Sequence, residues 1–219
     1  MRRIGYGVRL LNVLILLPML VITCAPSNPS ERPRREQGKV VSVFDGDTVL
    51  LDTGRRVRYL NVDAPELGKD GCPGDCFAEE AREANARLVL NRRVVLEYGE
   101  RRVDRYGRCL ARVFDLEGRS VGAELVRSGH ACVFRSSDDD SDMSDLVALQ
   151  RDAVRRRLGM WGKCPVRAAG GYVANRKTSV FHRLECRMGR FVSRENRVSF
   201  KSRWDGLEEG FRPCRRCKP

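Results

Sequence analysis

The stretch from Val43 to Glu66, VFDGDTVLLDTGRRVRYLNVDAPE, decides how the rest of the chain is read. Val43, Phe44, Val49, Leu50, Leu51, Val57, Tyr59, Leu60 and Val62 have the β-branched, aromatic and aliphatic character of strands. Yet acids interrupt them at Asp45, Asp47, Asp63 and Glu66, and Arg58 stands among them. Strands are depleted in Asp, and a buried carboxylate is costly unless something compensates it. Either these acids are turn residues and exposed strand ends, since Asp-Gly is common in hairpins, or they are gathered for a purpose. In the second case hairpin geometry brings Asp47, which opens one strand, beside Asp63, which closes the next. Carboxylates that close repel and raise each other's pKa unless a cation intervenes. An all-oxygen set suits Ca²⁺ or Mg²⁺ rather than zinc.

Working outward, strands are expected near 39–44, 47–52 and 55–62, then in RVVLEYG (Arg93–Gly99) and RCLARVFD (Arg108–Asp115). Helices are expected at Phe77–Asn91, where Ala81, Ala84 and Leu88 mark a buried face, and at Ser120–Gly129, with Gly129 as C-cap. A third runs over Leu146–Trp161, with Leu146, Leu149, Ala153 and Leu158 inward and an acidic loop, Asp138–Asp145, to cap it. Five strands with helices at the sheet edge suit a small closed barrel of the OB-fold type, mainly β with helices. GKDGCPGD (Gly68–Asp75) is a loop whose purpose the sequence does not reveal.

The chain has 219 residues, 42 Lys and Arg against 29 acids, and a globular rather than disordered composition. The excess charge sits at the ends. Residues 1–37 hold six basic residues against two acids, residues 38–165 balance at 22 each, and residues 170–219 hold 13 against five. A basic C-terminal module points to a polyanion such as nucleic acid, or to a solvated surface.

At the N-terminus Arg2, Arg3 and Arg9 precede an apolar run from Leu10 to Ile22, too short and broken for a confident spanning helix. This is an export signal. Its end, LVITC at Cys24, resembles a bacterial lipoprotein signal, which makes residues 1–24 the signal and Cys24 the lipidated residue; ordinary cleavage and a simple membrane anchor are the alternatives. Residues 25–37 read as a Pro/Ser/Arg-rich tether. The expected location is therefore outside the cytoplasm, periplasmic or on the cell surface. Export puts the thiols in an oxidising compartment. Cys72, Cys76, Cys109, Cys132 and Cys164 make an odd set whose pairing the sequence does not give, and Cys72 and Cys76 are expected to serve structural disulfides.

Arg58 and Arg108 join two acids and a cation into a phosphodiester site. Planar guanidinium forks take phosphate oxygens by paired bonds, and displacement at phosphorus needs mainly positioning and charge. DGDTVLL, RYLNVDAPE and DRYGRCLARVF together resemble the three signature segments of the staphylococcal nuclease (thermonuclease) family. AELVRSGHACV and AVRRRLGMW are similar to its later helices. The resemblance covers about residues 38–164. It implies an OB-fold barrel and a Ca²⁺-dependent phosphodiesterase acting on DNA and RNA. It further implies Asp47, Asp63 and the Ala64 carbonyl as calcium ligands, Glu66 as base, Arg58 and Arg108 on the phosphate, Tyr106 on the nucleotide's terminal phosphate and Asp45 in support. Ala64 stands where that family often has Thr. Its aromatic pair is reduced to Phe134 beside Arg135.

Residues 165–171, after Cys164, read as a linker. Beyond it, His182 and Cys186 are spaced H-x3-C, and Cys214 and Cys217 C-x2-C. Two compact pairs about 30 residues apart suit a closed tetrahedral Cys₃His zinc site, structural rather than catalytic. The competing arrangement is one disulfide plus a bystander His. FHRLEC, ENRVSF and EGFRPCRRC resemble the small zinc domain of Ada-type DNA repair proteins, over about residues 172–219. His182 replaces that family's methyl-accepting cysteine, so methyl transfer is not expected. Arg187, Arg190, Arg194, Arg197, Arg215 and Arg216 are placed to follow phosphates. The expectation is a barrel that cuts and a module that grips, with no protein partner. The other reading is a binding or DNA-uptake protein without catalysis.

Overall fold

The computed structural model describes residues 35–135, 141–166 and 169–219. The expected export signal, Cys24 and acids 138–140 lie outside the described residues. The elements are β1 (Arg35–Val43), β2 (Thr48–Leu51), β3 (Arg56–Tyr59), β4 (Val62–Asp63), α1 (Ala78–Val89), β5 (Arg93–Val103), β6 (Cys109–Phe114), α2 (Val121–Arg127), β7 (Cys132–Val133), α3 (Met143–Arg155) and α4 (Met160–Lys163). They continue with β8 (Tyr172–Asn175), β9 (Val180–Arg183), α5 (Arg187–Arg190), β10 (Arg197–Phe200), α6 (Arg203–Glu208) and β11 (Arg212–Pro213).

β1, β2, β3, β6 and β5 close into a five-stranded barrel in that order, as the strand pattern implies. Every neighbour is antiparallel except β3 with β6, where Arg58 pairs with Leu110. Alternation sends Val40, Val49, Leu51, Val57, Tyr59, Leu96, Ala111 and Val113 inward, and α1 covers them with Ala81, Ala84 and Val89. Removing that much aliphatic and aromatic surface from water is the main source of the barrel's stability.

Several boundaries differ from the sequence reading. Arg35–Gln37, assigned to the tether, are strand residues paired with Glu97–Val95 in β5. The strand expected to run to residue 62 stops at Tyr59, because Asn61 adopts a left-handed turn, φ 59°. Asp63 instead lies on the two-residue β4, which pairs with β7. The third helix ends at Arg155, not Trp161: Arg157 is left-handed, and Gly159 presses on Gly129, where a Cβ would meet the Gly129 oxygen at 2.4 Å. Gly129 itself takes φ 73° after α2, the C-cap role expected of it. Asp142 stands at the start of α3 but does not cap it; its side chain turns to Asn61 and Arg112. Leu88, Leu149 and Leu158 are only partly buried, and in α3 it is Gln150, beside Leu149, that is fully buried.

The C-terminal strands form a second sheet, β10-β8-β9-β11. It does not float on a linker: Arg32–Pro219 is one compact unit. Cys132, Ala153, Val154 and Trp161 share a hydrophobic core with Tyr172, Phe181, Phe200, Leu207 and Phe211. Gln150 stitches this core, accepting from Val133 N at 2.7 Å and donating to the Leu207 carbonyl at 2.6 Å. Deleting the C-terminal module would therefore expose core, not merely remove a grip. Gln150→Ala leaves the buried Val133 N–H unpaired and takes one bond from the Leu207 carbonyl, which keeps the Gly210 N–H. It should lower stability by about 3 kcal/mol in urea unfolding; a loss below about 1 kcal/mol would show that the stitch is dispensable.

Candidate active site

The acid cluster forms because three local features converge. The turn before β2 is pressed against Ala64 and Ala81, so close that a Cβ on Gly46 would lie 2.6 Å from the Ala64 Cβ. Buried Asn85 of α1 bonds both the Tyr59 hydroxyl (2.7 Å) and the Asp45 carbonyl (3.0 Å), fixing that turn on the barrel. The Asn61 turn then swings Asp63 back towards Asp47.

Arg58 answers the charge problem of the sequence. Its Nε reaches Asp47 Oδ1 at 3.0 Å and its Nη2 reaches Asp63 Oδ1 at 2.9 Å. Nη1 donates to the carbonyls of Tyr59 (2.7 Å) and Val62 (2.5 Å). Four of the five guanidinium donors are thus engaged. Asp47 also accepts from Thr48 Oγ1 (3.0 Å) and from the Ala64 N–H (2.6 Å), while Asp45 takes the Asp47 N–H at 2.9 Å. All three of Asp47, Arg58 and Asp63 are over 90% buried. Burial pushes the Asp47 carboxyl up to about 6 against the pull of Arg58, with Asp45 adding to the push.

Glu66 lies three residues beyond Asp63, half-exposed. The loop that the sequence left without a purpose holds it: Asp75 accepts the Glu66 N–H at 3.2 Å and returns its own N–H to the Glu66 carbonyl at 2.8 Å. Of the two loop cysteines expected to serve structural disulfides, Cys76 does and Cys72 does not. Cys76 pairs with Cys164, 88 residues away, and Cys72 is exposed and free. The loop turns at Lys69–Cys72 and delivers Cys76 to the end of α4. This tie anchors the loop behind Glu66.

Arg108 and Tyr106 form a neighbouring pair. By strand register Arg108 falls on the same side of the sheet as Arg58, two positions before its partner Leu110. Its Nε binds Asp104 at 2.8 Å and its guanidinium lies 5.5 Å from the Tyr106 ring, which is exposed. Among the described residues no hydrogen bond or ion pair joins either to the acid cluster.

The C-terminal segment reaches the cluster, which the sequence reading missed. Arg215 Nη2 bonds Asp63 Oδ1 at 2.6 Å and the Ala64 carbonyl at 3.3 Å, and Nη1 pairs with Glu66. Arg212 approaches Asp63 Oδ2 at 3.7 Å and covers the Phe134 ring at 4.4 Å. The only sequence hint was an excess of acids here and of arginines in FRPCRRC.

In the second sheet, His182, Cys186, Cys214 and Cys217 gather with their ligand atoms within 4.8 Å of one another. The Arg216 N–H points at Cys214 Sγ, 3.4 Å away. Burial disfavours the Cys186 thiolate, but the Gly189 N–H and the His182 ring outweigh it and lower its pKa. Three sulfurs and one imidazole, brought together with backbone donors behind them, fit a closed tetrahedral site.

Residues 56–163 match the family model of staphylococcal nuclease homologues, and residues 165–219 match that of the metal-binding domain of Ada. An uncharacterised endonuclease of Escherichia coli O157:H7 is 34% identical over 127 residues, 57% of this chain and 76% of its own length. A thermonuclease of Staphylococcus hyicus is 39% identical over 126 residues, 56% and 74% of the two chains. A thermonuclease of Staphylococcus intermedius is 29% identical over 167 residues, 74% and 99%.

The raised Asp47 has a measurable consequence. Between about pH 4 and 6 the folded protein holds a proton that the unfolded chain has released, so its stability falls as pH rises through that window. In metal-free buffer, Asp47→Asn should remove up to about 3 kcal/mol of this pH dependence. Equal slopes for the two proteins in urea unfolding would show that Asp47 titrates normally.

Proposed function

The chain belongs to the staphylococcal nuclease homologue family and is a nuclease, and from that premise we propose a Ca²⁺-dependent hydrolase of phosphodiester bonds in DNA and RNA, exported and lipid-anchored at Cys24. The observation that carries the calcium reading is the convergence of Asp47 and Asp63 on one guanidinium, with the Ala64 carbonyl and Glu66 beside them. Every donor there is oxygen, the preference of a hard cation. Asp47, Asp63 and the Ala64 carbonyl would hold Ca²⁺, which supplies Lewis-acid charge to a phosphate oxygen.

The chain's own groups do the rest. Glu66 accepts a proton from water as that oxygen bonds to phosphorus and the bond to the leaving oxygen breaks. Arg58, rigid between two strands, and Arg108, one strand over, place guanidinium charge where the phosphate gains negative charge. Arg58 keeps its bonds to Asp47 and Asp63 and offers the phosphate the one Nη2 donor outside them. Tyr106, exposed beside Arg108, contacts the nucleotide's terminal phosphate.

Zn²⁺ at His182, Cys186, Cys214 and Cys217 shapes the C-terminal module, whose arginines follow the strand. Export is supported by the basic and apolar N-terminus ending at Cys24, and by the Cys76–Cys164 bond, which persists in oxidising compartments.

Single-stranded DNA and RNA should both be cleaved with Ca²⁺ and spared with chelator. Glu66→Ala should lower turnover by about 10²–10⁴-fold while leaving nucleotide affinity in Ca²⁺ within about threefold. Cleavage that survives chelation would end the calcium reading, and full turnover by the variant would remove Glu66 as base.

A further inference from the structure

The charge around Asp63 does not balance within the barrel. Asp45, Asp47, Asp63 and Glu66 lie close in chain and space, and Arg58 is the one barrel cation that bonds into them among the described residues. The missing positive charge comes from about 150 residues away. Arg215 touches Asp63, the Ala64 carbonyl and Glu66 together. Its pKa is raised: burial pulls it down, but Asp63 and Glu66 more than offset that.

Arg215 is also held in place. It sits between Cys214 and Cys217, two of the four clustered metal-type ligands. Cys214 N donates to the Phe181 carbonyl at 2.9 Å and Lys218 N to the Cys214 carbonyl at 2.9 Å, which closes a tight knuckle. Lys218 then binds Asp75 at 2.7 Å, the same aspartate that clamps the Glu66 backbone. Arg215 leaves 40% of its side chain exposed, yet its neighbours on both sides of the knuckle are fixed by these contacts.

We propose that Arg215 is a further residue of the nuclease centre, a positioning cation supplied by the C-terminal module that contests the divalent ion for the oxygens of Asp63, Ala64 and Glu66. The inference rests on the calcium reading of that centre. Two of the three expected calcium ligands, and the expected base, are the groups Arg215 binds. A guanidinium and a divalent cation repel, so occupancy by one weakens the other. The coupling is reciprocal: whatever factor Arg215 takes from cation affinity, the cation takes from the docking of Arg215. The ligand knuckle thereby sets how readily the catalytic cation enters, and a substrate phosphate, which offers Arg215 new acceptors, favours entry of both.

The test is titration of Ca²⁺ alone into the full chain, without nucleic acid, by calorimetry, with zinc content checked before each run. Arg215→Ala should bind Ca²⁺ about tenfold tighter or more than the unaltered chain. Arg215→Lys keeps the charge but loses the fork, and should fall between. Affinities within twofold across all three, or weaker binding by Arg215→Ala, would overturn the proposal while leaving the calcium reading intact. Asp63→Ala serves as the control that must lose Ca²⁺. If none of the four proteins takes up Ca²⁺, the calcium reading itself fails and this inference with it.

Discussion

The structure depends on how Asp47 and Asp63 are kept together. Two buried carboxylates at one end of a small barrel repel, and burial weakens the screening of that repulsion. Arg58 resolves this because it is rigid: β3 carries it between the two acids, and two backbone carbonyls hold its remaining amino group. Burial still leaves Asp47 reluctant to ionise. Elements far from the chemistry serve that arrangement. Asn85 pins the turn, Gly46 lets it sit close, and the Asn61 turn brings Asp63 back.

A small C-terminal module could have been a mere attachment. Here it shares a core with α3 and α4, and Gln150 ties the two by hydrogen bonds that no solvent can replace. This rigidity gives Arg212 and Arg215 their meaning. Arginines on a loose tail would sample many partners, whereas these two converge on one aspartate. The loop between Asp63 and α1 completes the joint. It holds Glu66 through Asp75, meets Lys218, and is fastened to Cys164.

Much of the barrel was legible in the sequence, because strand alternation and turn residues act over a few positions. Val49, Leu51, Val57 and Tyr59 announced strands, and Gly129 announced a helix end. Errors gathered where neighbours far along the chain decided the outcome. Asn61 looked like a strand residue until the swing of Asp63 required it to turn. Leu149 looked buried, but the inner position went to Gln150, whose amide found partners on β7 and α6. The sequence left the pairing of five cysteines open, and loop curvature sent Cys76 to Cys164.

By itself, the sequence determined the residue types at the centre: hard oxygen donors among strand residues, a guanidinium within reach, and a separate set of sulfur and imidazole ligands. Those follow from local order, because hairpins and short ligand pairs place residues a few positions apart. Only the tertiary structure decided that Arg215, from the far end of the chain, lies on Asp63 and Glu66. Contacts across some 150 residues are chosen by which surfaces bury apolar area together, and no pattern of nearest neighbours records that choice.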